Sequence, residues 1–190
     1  MLEQPEQPST NSWKSKLKPI LETIEMIVIA LVLYFLINSV VARVQVQKIS
    51  MVPTLVPGEV LLVNKLAYTF GEIEHGDIIT FHYPLEPDLD YVKRVIGKPG
   101  DEVIVNNRDV WVNGELLFEP YISAAPEYEG TWQVPTDGLF VLGDNRNPSA
   151  DSHIWGFVPL ENVIGKVFAV YWPPNKIRGI STPVIFSANQ

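Results

Sequence analysis

The chain has 190 residues, 46% of them hydrophobic and 19% charged, so it is too apolar for a disordered protein and long enough to bury a core. Its net charge of −8 argues against nucleic acid as the main partner, because phosphate binding needs clustered Lys and Arg. It has no cysteine, which removes thiol nucleophiles, disulfides, cysteine zinc sites and iron–sulfur clusters.

Residues 1–13 are polar, include Pro5 and Pro8, and read as a loose tail. Met26 to Ala42 then runs MIVIALVLYFLINSVVA, 17 residues without a charge. The apolar character extends back to Ile20, interrupted by Glu22 and Glu25. As a helix the uncharged run covers about 26 Å, and the turn before it supplies the rest of a bilayer core of about 30 Å. The run exceeds the roughly 7–15 residues of a cleaved signal core, although Val40 and Ala42 suit a small-residue cleavage rule. The expectation is a cytoplasmic tail over 1–18 and a transmembrane helix over 19–42. Residues 43–190 then form an extracytoplasmic domain. Lys14, Lys16 and Lys18 before the span outweigh Arg43 and Lys48 after it, which favours a cytoplasmic N-terminus.

Beyond residue 43 the pattern turns to short strands rich in Val, Ile, Phe, Tyr and Trp. Candidates are Arg43–Ile49, Val60–Asn64, Asp77–Tyr83, Tyr91–Gly97, Glu102–Asn106, Asp109–Val112, Leu139–Leu142 and Val163–Trp172. Asn113-Gly114, flanked by Val110–Val112 and Glu115-Leu116, is a hairpin signal. The predicted class is mainly β: an antiparallel sandwich or partly open barrel behind one N-terminal transmembrane helix. Residues 119–138 carry three prolines and read as loop, within a small surface excursion around 107–138.

Three clusters carry chemistry. Ser50-Met51-Val52-Pro53-Thr54-Leu55 places a serine at a strand end before a proline turn. In Tyr91-Val92-Lys93-Arg94-Val95-Ile96, alternate residues share a face, so one of the two adjacent cations faces inward if either side packs. Burial lowers a lysine pKa and frees it as a base, whereas arginine stays charged and suits an ion pair. An exposed cationic pair on an edge strand is the alternative. Gly143-Asp144-Asn145-Arg146-Asn147-Pro148-Ser149-Ala150-Asp151-Ser152-His153 is a polar loop able to make many side chain–backbone bonds. His75, His82 and His153 show no metal-ligand spacing, and no phosphate-binding glycine loop occurs, so no metal or cofactor is expected. A Ser–His–Asp triad stays open, since His153 and several Asp are present.

Taken in order, an apolar span, SMVPTL, YVKRVIGKPGD and GDNRNPSADSHIWGFVP resemble the type I signal peptidases, over most of residues 20–160. The resemblance implies a membrane-bound serine endopeptidase that removes signal peptides from exported preproteins after small residues. It implies Ser50 as nucleophile, Lys93 as general base and Ser149 as the group orienting the lysine amine. Asp151 matches an acidic residue of a structural ion pair, and Arg94 a cation beside the lysine. Met51 and Pro53 match residues shaping the turn and the substrate cleft. The implied partners are preproteins and a lipid bilayer, plasma membrane or an internal membrane such as thylakoid, with no cofactor. Two positions depart from the family's common residues. Lys48 stands where Ser or Gly is usual, the Ser form donating to the oxyanion, and His153 stands where Arg is usual. The rivals are a soluble self-cleaving Ser–Lys repressor-type peptidase and an anchored β-domain that only binds a partner.

For Lys93 to act as a base near neutral pH its pKa must fall from about 10.4 by roughly two to three, at a cost of about 3–4 kcal/mol. From Ala42 to Ser50 the chain takes eight steps, at most about 27 Å extended, which keeps Ser50 near the outer membrane face.

Overall fold

The computed structural model describes residues 12–181, 185 and 186. The tail expected over residues 1–11 lies outside them. The chain divides into two compact units, Met1–Ser39 and Val40–Gln190.

The first unit is built on α1 (Ser12–Val40), a helix of 29 residues that starts upstream of the apolar run and contains Pro19. Its stretch Leu17–Val40 has a mean hydropathy of 2.4 and none of it is buried. These 24 residues rise about 36 Å as a helix, enough to cross a hydrocarbon core of about 30 Å. The hydroxyls of this helix satisfy themselves locally: Thr23 donates to the Pro19 carbonyl at 2.8 Å, and Ser39 to the Leu36 carbonyl at 2.7 Å.

The second unit is antiparallel β throughout. Its strands are β1 (Val41–Gln45), β2 (Val60–Asn64), β3 (Ile78–Tyr83), β4 (Glu86–Gly97), β5 (Glu102–Asn106), β6 (Asp109–Val112) and β7 (Glu115–Phe118). They continue with β8 (Gly130–Gln133), β9 (Gly138–Leu142), β10 (Val158–Pro159), β11 (Val163–Trp172), β12 (Arg178–Gly179) and β13 (Ile185–Phe186). Two short helices intervene, α2 (Ala67–Phe70) and α3 (Ser152–Trp155). One sheet runs β1-β2-β11-β3-β4-β9-β10, with β12 on β11, and the other runs β13-β7-β6-β5-β8. Both sheets are open, so the partly open reading of the β class stands.

The large sheet is buried on both faces at its centre. On β3, Ile78 joins a core with Met51, Leu55, Leu61 and Val63, while Ile79 and Phe81 join another with Val95, Leu139 and Val141. On β9, Phe140 and Leu142 face the opposite way, into a third core with Ile96, Val103, Val105, Val110 and Val112. Period-two alternation thus packs apolar residues on both sides of the strands that bracket the catalytic candidates.

Several strands differ from their sequence outlines. β4 begins at Glu86, ahead of Tyr91; its first five residues are exposed and hold one large apolar side chain, Leu89, between two aspartates, too little to write a period. β1 ends at Gln45, and Lys48–Ile49 belong to the bend before Ser50. Within the expected loop, Gly130–Gln133 is a strand on β5, so the excursion is part of a five-stranded sheet. Its short length and alternating exposure between prolines hid it.

The Asn113-Gly114 hairpin forms as expected, both residues having positive φ, 53° and 82°. The preceding hairpin places Asn107 and Arg108 at φ 49° and 72° without glycine. An L-residue pays about 1–2 kcal/mol for that conformation, so Arg108→Gly is expected to raise stability by about 0.5–1 kcal/mol, measured as the denaturant midpoint of the detergent-solubilised chain.

Candidate active site

Ser50 opens the turn after the β1 bend and is half buried at a cleft of about 750 Å³. The turn is held from below by Met51 and Leu55, both buried in the core beside β2. Its backbone closes through Leu55 N–H donating to the Met51 carbonyl at 2.8 Å. The Val52–Pro53 peptide is cis, and Pro53 itself is exposed and does not line the cleft. Thr54 Oγ1 donates to Asp144 Oδ2 at 2.5 Å, and the Thr54 carbonyl accepts from Arg178 Nη2 at 2.8 Å.

Both cations of β4 are buried, Lys93 at 2% exposure and Arg94 at 1%. Adjacent strand residues point to opposite faces, and here both faces are covered, which removes the exposed-edge alternative. Each cation meets a different fate. Arg94 makes a two-pronged pair with Asp144, Nε–Oδ1 2.8 Å and Nη2–Oδ2 2.7 Å, donates to the Gly76 carbonyl at 2.9 Å and lies 3.8 Å from the Tyr121 ring centroid. Lys93 has no carboxylate in hydrogen-bond contact; its Nζ donates to Ser149 Oγ at 2.7 Å. Burial pushes the Lys93 amine down from 10.5 to about 8; Asp151 pulls it back up, Lys48 pushes it down, and Asp144 pulls it up.

The polar loop after β9 wraps the serine. Asn145 N–H donates to the Ser50 carbonyl at 3.0 Å and its side chain to the Ile49 carbonyl at 3.2 Å. Gly143 N–H donates to Asp151 Oδ2 at 2.9 Å. A Cβ at Gly143 would run into Ser149 Oγ and the Ser50 carbonyl, so only glycine lets these segments meet. Asp151 is fully buried, caps α3, and faces His153 Nδ1 at 2.5 Å, with the His153 ring stacked 3.8 Å from Tyr128. Ser149 is buried beside Lys93.

Ser50, Met51, Lys93, Pro148 and Ala150 line one cleft, together with β1 residues 43–45 and Asp88–Val92. No hydrogen bond joins Ser50 Oγ to Lys93 Nζ directly, and none joins any histidine to Ser50. Lys48 stands at the same cleft, exposed, with its Nζ 3.4 Å from Tyr91 Oη and 4.9 Å from the ring centroid. Among the described residues no cluster of His, Asp and Glu is suited to hold a metal.

A family model described as signal peptidase, peptidase S26, matches residues 20–172. The signal peptidase I of Leptolyngbya laminosa is 41% identical over 189 residues, covering 94% of this chain and 92% of that protein. The chain belongs to the signal peptidase family, peptidase S26. Membership makes it a serine endopeptidase, and the apolar α1 marks it as membrane-anchored. The signal peptidase I of Bacillus caldolyticus is 43% identical over 139 residues, 65% of this chain and 75% of that protein. A crystal structure of a signal peptidase I from Enterococcus faecalis V583 is 31% identical and covers 50% of this chain and 97% of that chain, at a TM-score of 0.47.

Some residues of this peptidase site had little signal in the sequence. Asp144, Asn145 and Gly143 sit inside the polar loop, but only folding shows that Asp144 grips Arg94, that Asn145 grips Ser50 and that Gly143 leaves room for Ser149. Arg178 had no local signal at all. It pairs with buried Glu59 at 2.8 and 2.9 Å and reaches the Thr54 carbonyl of the Ser50 turn from the end of the large sheet.

Removing Asp144 would strand the Arg94 charge in the interior. Asp144→Ala is expected to cost about 3–5 kcal/mol in urea unfolding, and the double variant Arg94→Met, Asp144→Leu to recover most of it.

Proposed function

We propose that this peptidase cleaves N-terminal signal peptides from exported preproteins after small residues, with Ser50 as nucleophile and a neutral Lys93 as general base. One observation carries the reading: a buried lysine amine, lowered to about 8 and free of any contacting carboxylate, shares a cleft with a half-buried serine.

In the mechanism, neutral Lys93 takes the Ser50 proton as Ser50 Oγ attacks the scissile carbonyl carbon. In the resting state the two side chains line one cleft without a hydrogen bond between them, and the proton transfer requires them to come into contact when substrate binds. Ser149 Oγ, accepting from the Lys93 ammonium form, holds the amine in place through both protonation states. The tetrahedral oxyanion is met by the Ser50 backbone N–H, a donor of a kind worth about 2.7–4 kcal/mol. Lys93 then returns the proton to the leaving amine, and water, activated by the same amine, releases the acyl-enzyme.

Among the described residues β1 pairs only with β2, so one edge of the large sheet stays unpaired beside the cleft. An extended substrate adds there as a further strand, and alternate side chains enter the space bounded by Val44, Met51, Leu55 and Val92. The four side chains that bound that space are apolar, which suits small uncharged residues. The N-terminus is cytoplasmic and the β unit faces the extracytoplasmic side, consistent with three lysines preceding the span.

Ser50→Ala and Lys93→Ala are each expected to abolish cleavage of a preprotein by the detergent-solubilised chain, with folding intact by circular dichroism. Lys93→Arg is expected to be inactive too, because a guanidinium stays protonated. Normal turnover by Lys93→Ala would sink the proposed base.

Below about 8 the Lys93 amine is protonated and cannot accept a proton, so kcat/KM is expected to rise about tenfold per pH unit up to that region and then level off. Ser149→Ala releases the amine from its tether; a kcat loss of about 10²-fold is expected in steady-state cleavage assays, in line with the cost of misplacing a catalytic group by about an ångström.

A further inference from the structure

Lys48 lies two residues before Ser50, and Tyr91 two residues before Lys93. All four residues line the same cleft. Tyr91 and Lys93 share a face of β4. The Tyr91 ring is fixed: it stacks on Tyr83 at 4.5 Å and 8°, and meets Phe81 edge-on at 6.4 Å. Trp155 packs edge-on against Tyr83 at 5.5 Å. The Lys48 ammonium rests on this aromatic stack, over the ring and within reach of its hydroxyl. An exposed lysine would ordinarily sweep through solvent; this one is held at the cleft wall.

We propose that Lys48 is a positioning residue for the peptidase reaction, its ammonium pinned on Tyr91 so that a fixed positive charge disfavours protonation of the Lys93 amine. This rests on the reading of Lys93 as general base. The surrounding carboxylates oppose the neutral amine, and Lys48 offsets part of their effect. Asp144 and Asp151 approach Lys93 from the loop after β9, and both favour its protonated form. Asp144 is committed to Arg94 and Thr54, and Asp151 to the Gly143 N–H and His153. Asp88 and Asp90 line the cleft from β4, with Asp90 paired to His82, and Arg43 lines it from β1. Burial does most to keep the amine neutral, and Lys48 acts in the same direction. A charge at the cleft wall acts through a partly dried medium, where like-charge repulsion is felt more strongly than in water.

The test is the pH profile of kcat/KM for a preprotein substrate, with the full chain in detergent. Lys48→Met and the polar, uncharged Lys48→Gln are expected to move the ascending limb up by roughly half a pH unit, a roughly threefold loss of rate at pH 7. Lys48→Arg is expected to keep the wild-type midpoint, because it keeps the charge over the ring. Limbs of Lys48→Met and Lys48→Gln that superimpose on the wild type would overturn the proposal. So would a uniform loss at every pH with the midpoint unmoved, which would put Lys48 on the reacting atoms. Lys93→Ala is run alongside: if it cleaves at the wild-type rate, the general-base reading falls, whereas an inactive Lys93→Ala with an unmoved Lys48→Met limb sinks only the role of Lys48.

Discussion

The site depends on burying two neighbouring cations on opposite faces of one strand. Water is removed from both Lys93 and Arg94, and a charge taken out of water must be paired or neutralised. Arg94 cannot lose its proton, so it takes both oxygens of Asp144 and becomes a rigid structural pair. Lys93 receives a hydroxyl in place of a carboxylate, and burial drives it toward the neutral amine. The same desolvation therefore leaves a charged strut at one position and an amine shifted toward neutrality at the next.

The strut carries the geometry. Asp144, held by Arg94, also accepts from Thr54 in the Ser50 turn, so the Lys93 strand, the Ser50 turn and the loop after β9 meet at one carboxylate. The next residue, Asn145, grips the backbone of Ile49 and Ser50, and Gly143 admits the Ser50 carbonyl and Ser149 where any side chain would collide. The five-stranded sheet closes the far side. The segment after β7 supplies Tyr121 against the Arg94 guanidinium and Glu119 to buried Arg146, whose Nη1 lies 2.6 Å from a carboxylate oxygen. A segment that reads as a surface loop is thus part of the packing around Arg94.

Two positions depart from common family residues, and the fold gives each a partner. His153 takes Asp151 as its partner and lies flat on Tyr128, so an imidazole fills the space against a buried carboxylate where the family commonly carries Arg. Lys48 rests on the aromatic stack of Tyr91 and Tyr83. In both cases an aromatic ring supplies the contact for the side chain.

The sequence alone determined the apolar helix, the antiparallel β class, the Asn113-Gly114 hairpin and the three polar clusters, because each rests on local chemistry: hydropathy, period two, turn residues and residue type. It also placed a lysine and an arginine side by side in a strand and thereby posed the question of which would be buried. Only the tertiary structure decided that both are, because what covers the two faces of that strand comes from segments 18 to 56 residues away. The same holds for the Asp144 junction, the close approach at Gly143 and the reach of Arg178 to the nucleophile turn, which are contacts between distant parts of the chain. The short strands β8, β10 and β12 belong there too, since two to four residues of backbone pairing carry too few side chains to write a period.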